Sequence, residues 1–494
     1  MARKVIPDIY LNNDSYKDKV FACWIGKNIG GTMGAPYEGI KEMVDITGFA
    51  SEAGEPLPND DLDLQLIWLH AVETLGAKAV NAASLGEMWI GLIPPNWNEY
   101  GIGKNNMRRG LVPPFSGDYE NRWQNSNGAW IRTEIWACLA PGCPQIASKY
   151  AIEDAKVDHG TGEGTTAAAF VGAMQSAAFV VNDVRECINL GLKSIPENSR
   201  MADSVRFVID CYEKGMSYVD ARNALQKRNA DIGTGWFEAP SNVGYAVIGL
   251  LWGEGDFKKS MITAINCGDD TDCTAATVGA TLGILGGKAA IPSDWQEYIG
   301  DKIITISVNR GDCRTGGSVP KTCTELSNRV IKQAPHFLFA NDAAVKLTDS
   351  QTEFDESCLD YLNSECVEFC QNLNLTPFTA HYESVILEAD VHVFGGLDIA
   401  PMGSKKVTIT ARFKRPFGDE LKNLSIRWWL PDGFTTSGRK SAYIPQKSHH
   451  YVSQAVLEYT LVAGENVDAQ NRCVFEITAD GRTDVLYVPV LLLG

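Results

Sequence analysis

Gly268-Asp269-Asp270-Thr271-Asp272-Cys273-Thr274 runs directly into a small-residue segment, Ala275 to Leu285. Ala275, Gly279 and Gly283 recur at i, i+4 and i+8, which predicts a helix over 274–285 with one stripe open to close approach by another backbone. Alternate side chains of an extended loop share a face, so Asp270 and Asp272 can address one ion. The helix that follows offers free N–H groups and the positive end of its dipole, and both favour ionised carboxylates. A second acidic run, Asn59-Asp60-Asp61-Leu62-Asp63, also enters a helical pattern, carried by Leu62, Leu66, Leu69 and Val72. At a helix N-terminus Asp60 and Asp61 splay towards two ions, and Asn59 adds a neutral oxygen. Either run alone reads first as an N-cap. Brought together, their carboxylates raise one another's pKa values. A site for hard divalent cations, Mg²⁺, Mn²⁺ or Ca²⁺, relieves that repulsion.

The rest of the chain is ordinary in bulk. Its 494 residues suggest more than one domain. A net charge of −17 disfavours nucleic-acid backbones and anionic membranes as partners. No apolar run reaches spanning length, and the N-terminus lacks a signal-peptide core. The 13 cysteines form no CxxC pair, so neither a disulfide framework nor a zinc ribbon is indicated. These points together read as a cytoplasmic protein. Its oligomeric state is left open.

From about 15 to 340 the periodicity is helical, with helices expected at 165–181, 200–214 and 218–227. A stretch rich in Gly, Pro, Asn and Trp, 94–127, reads as a long functional loop. After about 375 the period changes to two. Val407, Ile409, Ala411 and Phe413 alternate with polar residues, and Asp480-Gly481 signals a hairpin. The expected division is 1–340 helical, 341–375 connector, and 376–494 an antiparallel β-sandwich. Within that sandwich one of Trp428 and Trp429 packs inward; docking on the helical domain is a role open to the other.

The pair of acidic runs resembles the ADP-ribosylglycohydrolase family. Five motifs carry the resemblance in order: Gly30-Gly31-Thr32-Met33-Gly34-Ala35-Pro36-Tyr37-Glu38, Asn59-Asp60-Asp61-Leu62, Asn127-Gly128-Ala129-Trp130-Ile131-Arg132, Asp158-His159-Gly160, and Gly268 to Ala280. The resemblance implies an all-α orthogonal helical bundle holding two Mg²⁺ or Mn²⁺ ions. It implies Asp60, Asp61, Asp270 and Asp272 as metal ligands and Glu38 at the metal and substrate site, with Glu38, Asp60, Asp61 and Asp270 as the catalytic set. Asn59, Cys273 and Thr274 complete the candidate ligands. Three positions depart from the family pattern: Gly31 replaces an Asp, Asn59 a Thr and Cys273 a Thr. A thiol favours softer metals than Mg²⁺.

Several other residues have two readings. His159 and Glu163 sit in a Gly-rich segment before a helix; they are either substrate groups or structural ones. Arg132 suits a substrate phosphate or an ion pair. Trp97, Trp123, Tyr100 and Tyr119 suit a stacking wall or a core, and Arg108-Arg109 an anionic ligand or solvent. The expected function is metal-dependent hydrolysis of an ADP-ribosyl or related ribosyl N- or O-glycosidic bond in a small molecule or an ADP-ribosylated substrate. One alternative is hydrolysis of another carbohydrate linkage. An alternative of another class is a non-catalytic relative that binds metal or ligand.

Overall fold

The computed structural model describes residues 7–308, 319–414, 422–444 and 453–494. The chain forms two compact units, 1–104 with 121–374, and 105–120 with 375–494.

The first unit is helical. Its spine is a pair of long helices, Asn13–Gly34 and Thr271–Gly286. Glycine lets their backbones touch. A β-carbon added at Gly26 would lie 2.2 Å from the Gly279 carbonyl oxygen, one at Gly30 2.4 Å from Ala275, and one at Gly283 2.4 Å from Ala22. The pairing Ala22–Gly283, Gly26–Gly279, Gly30–Ala275 runs antiparallel, so the end of the first helix meets the start of the second. There the Thr271 hydroxyl donates to the Gly34 carbonyl at 2.8 Å. It satisfies one of the acceptors that a helix C-terminus leaves open. The small-residue stripe of the sequence thus finds its counterpart in Gly26, Gly30 and Gly34.

The remaining helices surround this pair, among them Asp60–Leu75, Glu163–Ala177, Arg200–Glu213, Tyr218–Arg228 and Ala239–Gly253. Strand Ile9–Asn12 pairs in parallel with Val345–Thr348, and a helix spans Glu356–Asn372. Residues 341–374 therefore carry regular structure within the helical unit. The stretch 94–127 is not one loop. It contains the helix Asn98–Arg108 and the short helix Phe115–Asp118.

The second unit holds two antiparallel sheets. One orders its strands Val485–Leu492, Asn471–Ala479, Lys422–Trp429, Ser441–Ile444; the other Thr379–Glu383, Leu387–Val393, Ser404–Phe413, Gln454–Val462, Thr435–Ser437. Val407, Ile409 and Ala411 are buried on alternate positions, and the strands joined through Asp480-Gly481 pair as expected. Both sheets supply one apolar core, which also takes in Leu111, Phe115 and Tyr119 from the 105–120 segment. Trp428 packs against Tyr459 and Phe475, whereas Trp429 is 46% exposed and donates to Glu476. Arg109 lies over the Tyr119 ring at 5.2 Å, so its guanidinium has an aromatic partner inside this unit.

Candidate metal centre and active site

The two acidic runs meet at the end of the helix pair. Asn59 caps the helix Asp60–Leu75, its side-chain oxygen accepting from the Asp61 N–H at 2.8 Å. Asp60, Asp61 and Asp63 then occupy the first turn, where the helix dipole favours anions. The other run is held by Asn242. Its amide donates to Asp269 at 3.0 Å and its oxygen accepts from the Asp270 N–H at 3.2 Å. Asp269 has φ +65°, a left-handed conformation that Asp tolerates better than most residues. Its backbone also pairs with Gly39 and Ile40, tying the Glu38 loop to the Asp270 loop. Asp270 precedes the helix without a side-chain capping bond, so its carboxylate is not spent on the helix start.

The result is a cavity of about 330 Å³ whose wall includes Glu38, Asp60, Asp270, Asp272, Cys273, Trp97, Glu99 and Tyr100. Two triads of ligand atoms lie within 4.8 Å of one another: Asp61, Asp272 and Cys273, all buried, and Glu38, Asp270 and Asp272, of which Glu38 is exposed. Asp272 belongs to both. Asp61 Oδ2, Asp270 Oδ1 and Asp272 Oδ1 are buried without a hydrogen-bond partner. Three carboxylate oxygens left open beside one another in this cluster are what a bound cation would satisfy. The donor set, mostly carboxylate oxygen, suits divalent cations.

Electrostatics agrees with the geometry. Asp272 and burial push the Glu38 carboxyl up to about 8. Burial and then Asp272 raise Asp60 to about 6, and burial holds Asp61, Asp270 and Asp272 above the usual carboxylate range. The ammonium of Lys27 is fully buried. It lies 3.9 Å from Asp61 and 3.1 Å from Glu134 and donates to the Ile131 carbonyl at 2.7 Å.

Each expected residue has a definite place. Asp60 accepts from the Tyr100 hydroxyl at 2.9 Å and lines the cavity outside the two triads. Trp97, 42% exposed, stands in the cavity wall. Asn59 uses its oxygen as a cap and packs its amide against Gly31, where an added β-carbon would lie 1.5 Å from Nδ2. Thr274 donates its hydroxyl back to the Thr271 carbonyl at 3.2 Å. Arg132, His159, Glu163 and Trp123 are not part of the cavity wall. Arg132 is fully buried and clamped between Asp154 and Asp158, at 3.0 and 2.8 Å. This corrects its reading as a substrate group, because its fork already has carboxylate partners. His159 is buried between Asp158 at 2.9 Å and Ser126 at 3.1 Å. Glu163 caps another helix, accepting from the Arg200 and Met201 N–H groups at 2.9 Å each. Trp123 is half-buried beneath the Arg122 guanidinium, 5.5 Å from its ring centre.

Two residues join the site beyond the candidates named from the sequence, the first of them at the head of the third motif. Asn127 donates to Asp270 Oδ2 at 2.6 Å and orients that carboxylate. Glu99 lines the cavity with a buried Oε2 that has no hydrogen-bond partner, and burial raises its pKa. A carboxylate in a low-propensity Asn-Glu-Tyr-Gly context gives no sequence signal of either fact.

The helical unit thus holds a carboxylate-lined cavity. The chain belongs to the ADP-ribosylglycohydrolase family, whose profile matches residues 12–317. It is similar to an uncharacterized protein of Archaeoglobus fulgidus, with 23% identity over 308 residues, 58% of this chain and 93% of the relative. Among solved structures it is similar to an ADP-ribosylglycohydrolase-related protein complex, with 17% identity and a TM-score of 0.45 over 66% of this chain and 99% of that one. A FixG-related protein from Vibrio parahaemolyticus matches at 11% identity and a TM-score of 0.18, over 22% of this chain and 94% of that one. Among the described residues no helix is long and apolar enough to cross a membrane.

Proposed function

We propose that this protein hydrolyses an ADP-ribosyl or related ribosyl N- or O-glycosidic bond with two divalent cations, Mg²⁺ or Mn²⁺, bound in the cavity. The observation that carries this reading is the pair of triads sharing Asp272, with three unpartnered buried carboxylate oxygens. Asp61, Asp270, Asp272 and Glu38 would hold the ions, with Asp60 alongside. When bound, divalent cations orient a sugar diol and acidify water. Glycoside cleavage passes through an oxocarbenium-like state at the anomeric carbon. The surrounding carboxylates favour that positive charge. Glu38, the exposed carboxyl of the set, has the access to take a proton from the attacking water. Asn127 fixes the Asp270 carboxylate and Tyr100 that of Asp60. Trp97 at the wall offers a face for a sugar or an adenine.

The 12 free cysteines of the described residues support a reducing, cytoplasmic setting. The test is release of ADP-ribose or ribose from ADP-ribosyl-arginine, ADP-ribosyl-serine and aryl ribofuranosides after loading with Mn²⁺. Turnover is expected to require the metal and to fall at least 1,000-fold, on the order of 4 kcal/mol of barrier, in Asp270→Ala. Full activity in that variant removes Asp270 from the mechanism.

A further inference from the structure

The two triads differ in chemistry. The outer one, Glu38, Asp270 and Asp272, is all carboxylate; the inner one, Asp61, Asp272 and Cys273, includes a thiol. The Cys273 thiol donates to Asp61 Oδ1 at 3.4 Å, a proton that a bound ion would displace. Two ligands on one tetrahedral zinc, with bonds of about 2.3 Å to sulfur and about 2.1 Å to oxygen, stand about 3.6 Å apart. The sulfur and the carboxylate are therefore already spaced as neighbours around a single ion.

This side holds unpartnered oxygens, as the outer one does in Asp270 Oδ1. Asp61 Oδ2 and Asp272 Oδ1 are buried and have no hydrogen-bond partner, in residues 0% and 5% exposed. Lys27 stands 3.9 Å from Asp61, but Ile131 and Glu134 hold its ammonium more closely, at 2.7 and 3.1 Å. It draws off part of the charge of Asp61 without closing the gap. A hard cation such as Mg²⁺ demands near-ideal octahedral oxygen coordination. The inner triad offers two carboxylates, one of them shared with an ammonium, and a sulfur.

We infer that the two positions are not equivalent: the inner one takes a thiophilic divalent transition-metal ion, of the Zn²⁺ or Co²⁺ class, with Cys273 as its thiolate ligand, and the outer one takes the hard ion. This rests on the cavity being a two-cation site. It makes Cys273 the residue that sets which metal the inner position selects.

The test uses the full chain stripped with a chelator. Titration with Co²⁺ is expected to raise a near-ultraviolet thiolate-to-cobalt charge-transfer band that saturates at one ion per chain. Cys273→Ser is expected to lose that band and to bind Zn²⁺ at least 10-fold more weakly, while calorimetric affinity for Mg²⁺ stays within about 3-fold. X-ray absorption of the unaltered protein loaded with one Zn²⁺ is expected to show one sulfur at about 2.3 Å, a measurement that does not depend on the variant folding. Bound cobalt with no Cys273-dependent band, or bound zinc with oxygen and nitrogen neighbours only, overturns the inference and leaves the two-cation reading standing. Failure of Co²⁺, Mn²⁺ and Mg²⁺ alike to bind overturns both.

Discussion

Gly34→Ala tests whether the helix pair sets the geometry of the cavity. A β-carbon at this position would lie 2.3 Å from the Thr271 carbonyl oxygen and 2.4 Å from Asp272 Cα. Non-bonded carbons sit comfortably at about 3.5–4.0 Å. The two backbones must therefore part by roughly 1 Å. Inserting a methyl into a packed contact costs about 1–3 kcal/mol, and the 2.8 Å bond from Thr271 to the Gly34 carbonyl is stretched with it. Helix propensity returns about 0.5–1 kcal/mol. The net expectation is a loss of about 1–2 kcal/mol, read by urea denaturation. Two controls separate the causes. Gly283→Ala strikes the Ala22 carbonyl at 2.4 Å, at the far end of the same pair, and should cost a similar amount. Gly91→Ala has nothing within 4 Å and should stabilise by the propensity term. Metal sites tolerate displacements of only about 0.2 Å. Calorimetric Mn²⁺ affinity should therefore fall at least 10-fold in Gly34→Ala and by less than about 3-fold in Gly283→Ala. The reasoning is refuted if Gly34→Ala matches Gly91→Ala in stability, or if both helix-pair variants bind Mn²⁺ equally tightly.

Three further outcomes follow from the charges. Asp272 is the largest cause of the raised Glu38 pKa, so Asp272→Asn should stabilise the chelated protein by roughly 1.4 kcal/mol, one pKa unit of relieved repulsion. It should also abolish the rise in melting temperature caused by Mn²⁺. The folded-state values of about 8 for Glu38 and about 6 for Asp60 lie above the ordinary 4.5 and 3.8. Protonation of these groups therefore favours the fold at low pH. That contribution is complete below about pH 4 and is lost as pH rises towards 8, so the chelated protein should melt progressively lower across that window while saturating Mn²⁺ flattens the profile. Arg132→Ala leaves Asp154 and Asp158 buried without their partner and should cost about 3–5 kcal/mol in chemical denaturation, with Mn²⁺ affinity in the folded fraction unchanged; a shift in affinity would return Arg132 to the site.

What the sequence disclosed and what it concealed divide along physical lines. Asp60, Asp61, Asp270 and Asp272 were legible because like charges do not gather without a reason, and two such runs each opened a helix. The stripe of Ala275, Gly279 and Gly283 was legible because small residues at helical spacing imply a close crossing. Arg132 stayed open between a substrate group and an ion pair because a fork suits any carboxylate, and its partners lie 22 and 26 residues further on. Their own spacing, Asp154 in the last turn of the helix Pro144–Ala155 and Asp158 in the turn that follows it, was the available signal that two acids stand together. Glu163 is spent on N–H groups 37 and 38 residues away, which no local pattern reveals. The segment 105–120 was taken as part of a loop, yet Leu111, Phe115 and Tyr119 repeat at four-residue spacing and enter the β core. Its glycines and asparagines hid that stripe. Glu99 had no signal, since burial of a single carboxylate depends on what the rest of the fold places over it.

The charge of the cavity supports the proposed pair of ions over a single one. Glu38, Asp60, Asp61, Asp270 and Asp272 are five acids, and Lys27 is the ammonium beside them. Glu134 holds that ammonium at 3.1 Å, and Glu99 adds a further carboxyl to the wall, so when all are ionised the excess of negative charge is more than one divalent cation cancels. A single ion leaves negative charges uncompensated at separations of a few ångströms. At an effective dielectric constant near 20, like charges 4 Å apart repel by about 4 kcal/mol. The half-filled cavity therefore still attracts a second cation strongly, unless protons fill the gap. Raised carboxyl pKa values are the sign of protons doing so when metal is absent. The two triads meet at Asp272, so each ion relieves the repulsion on the ligands of the other. Binding should accordingly be steepest at alkaline pH, where protons no longer compete, and metal and proton should exchange for one another across the same window in which the chelated protein loses stability.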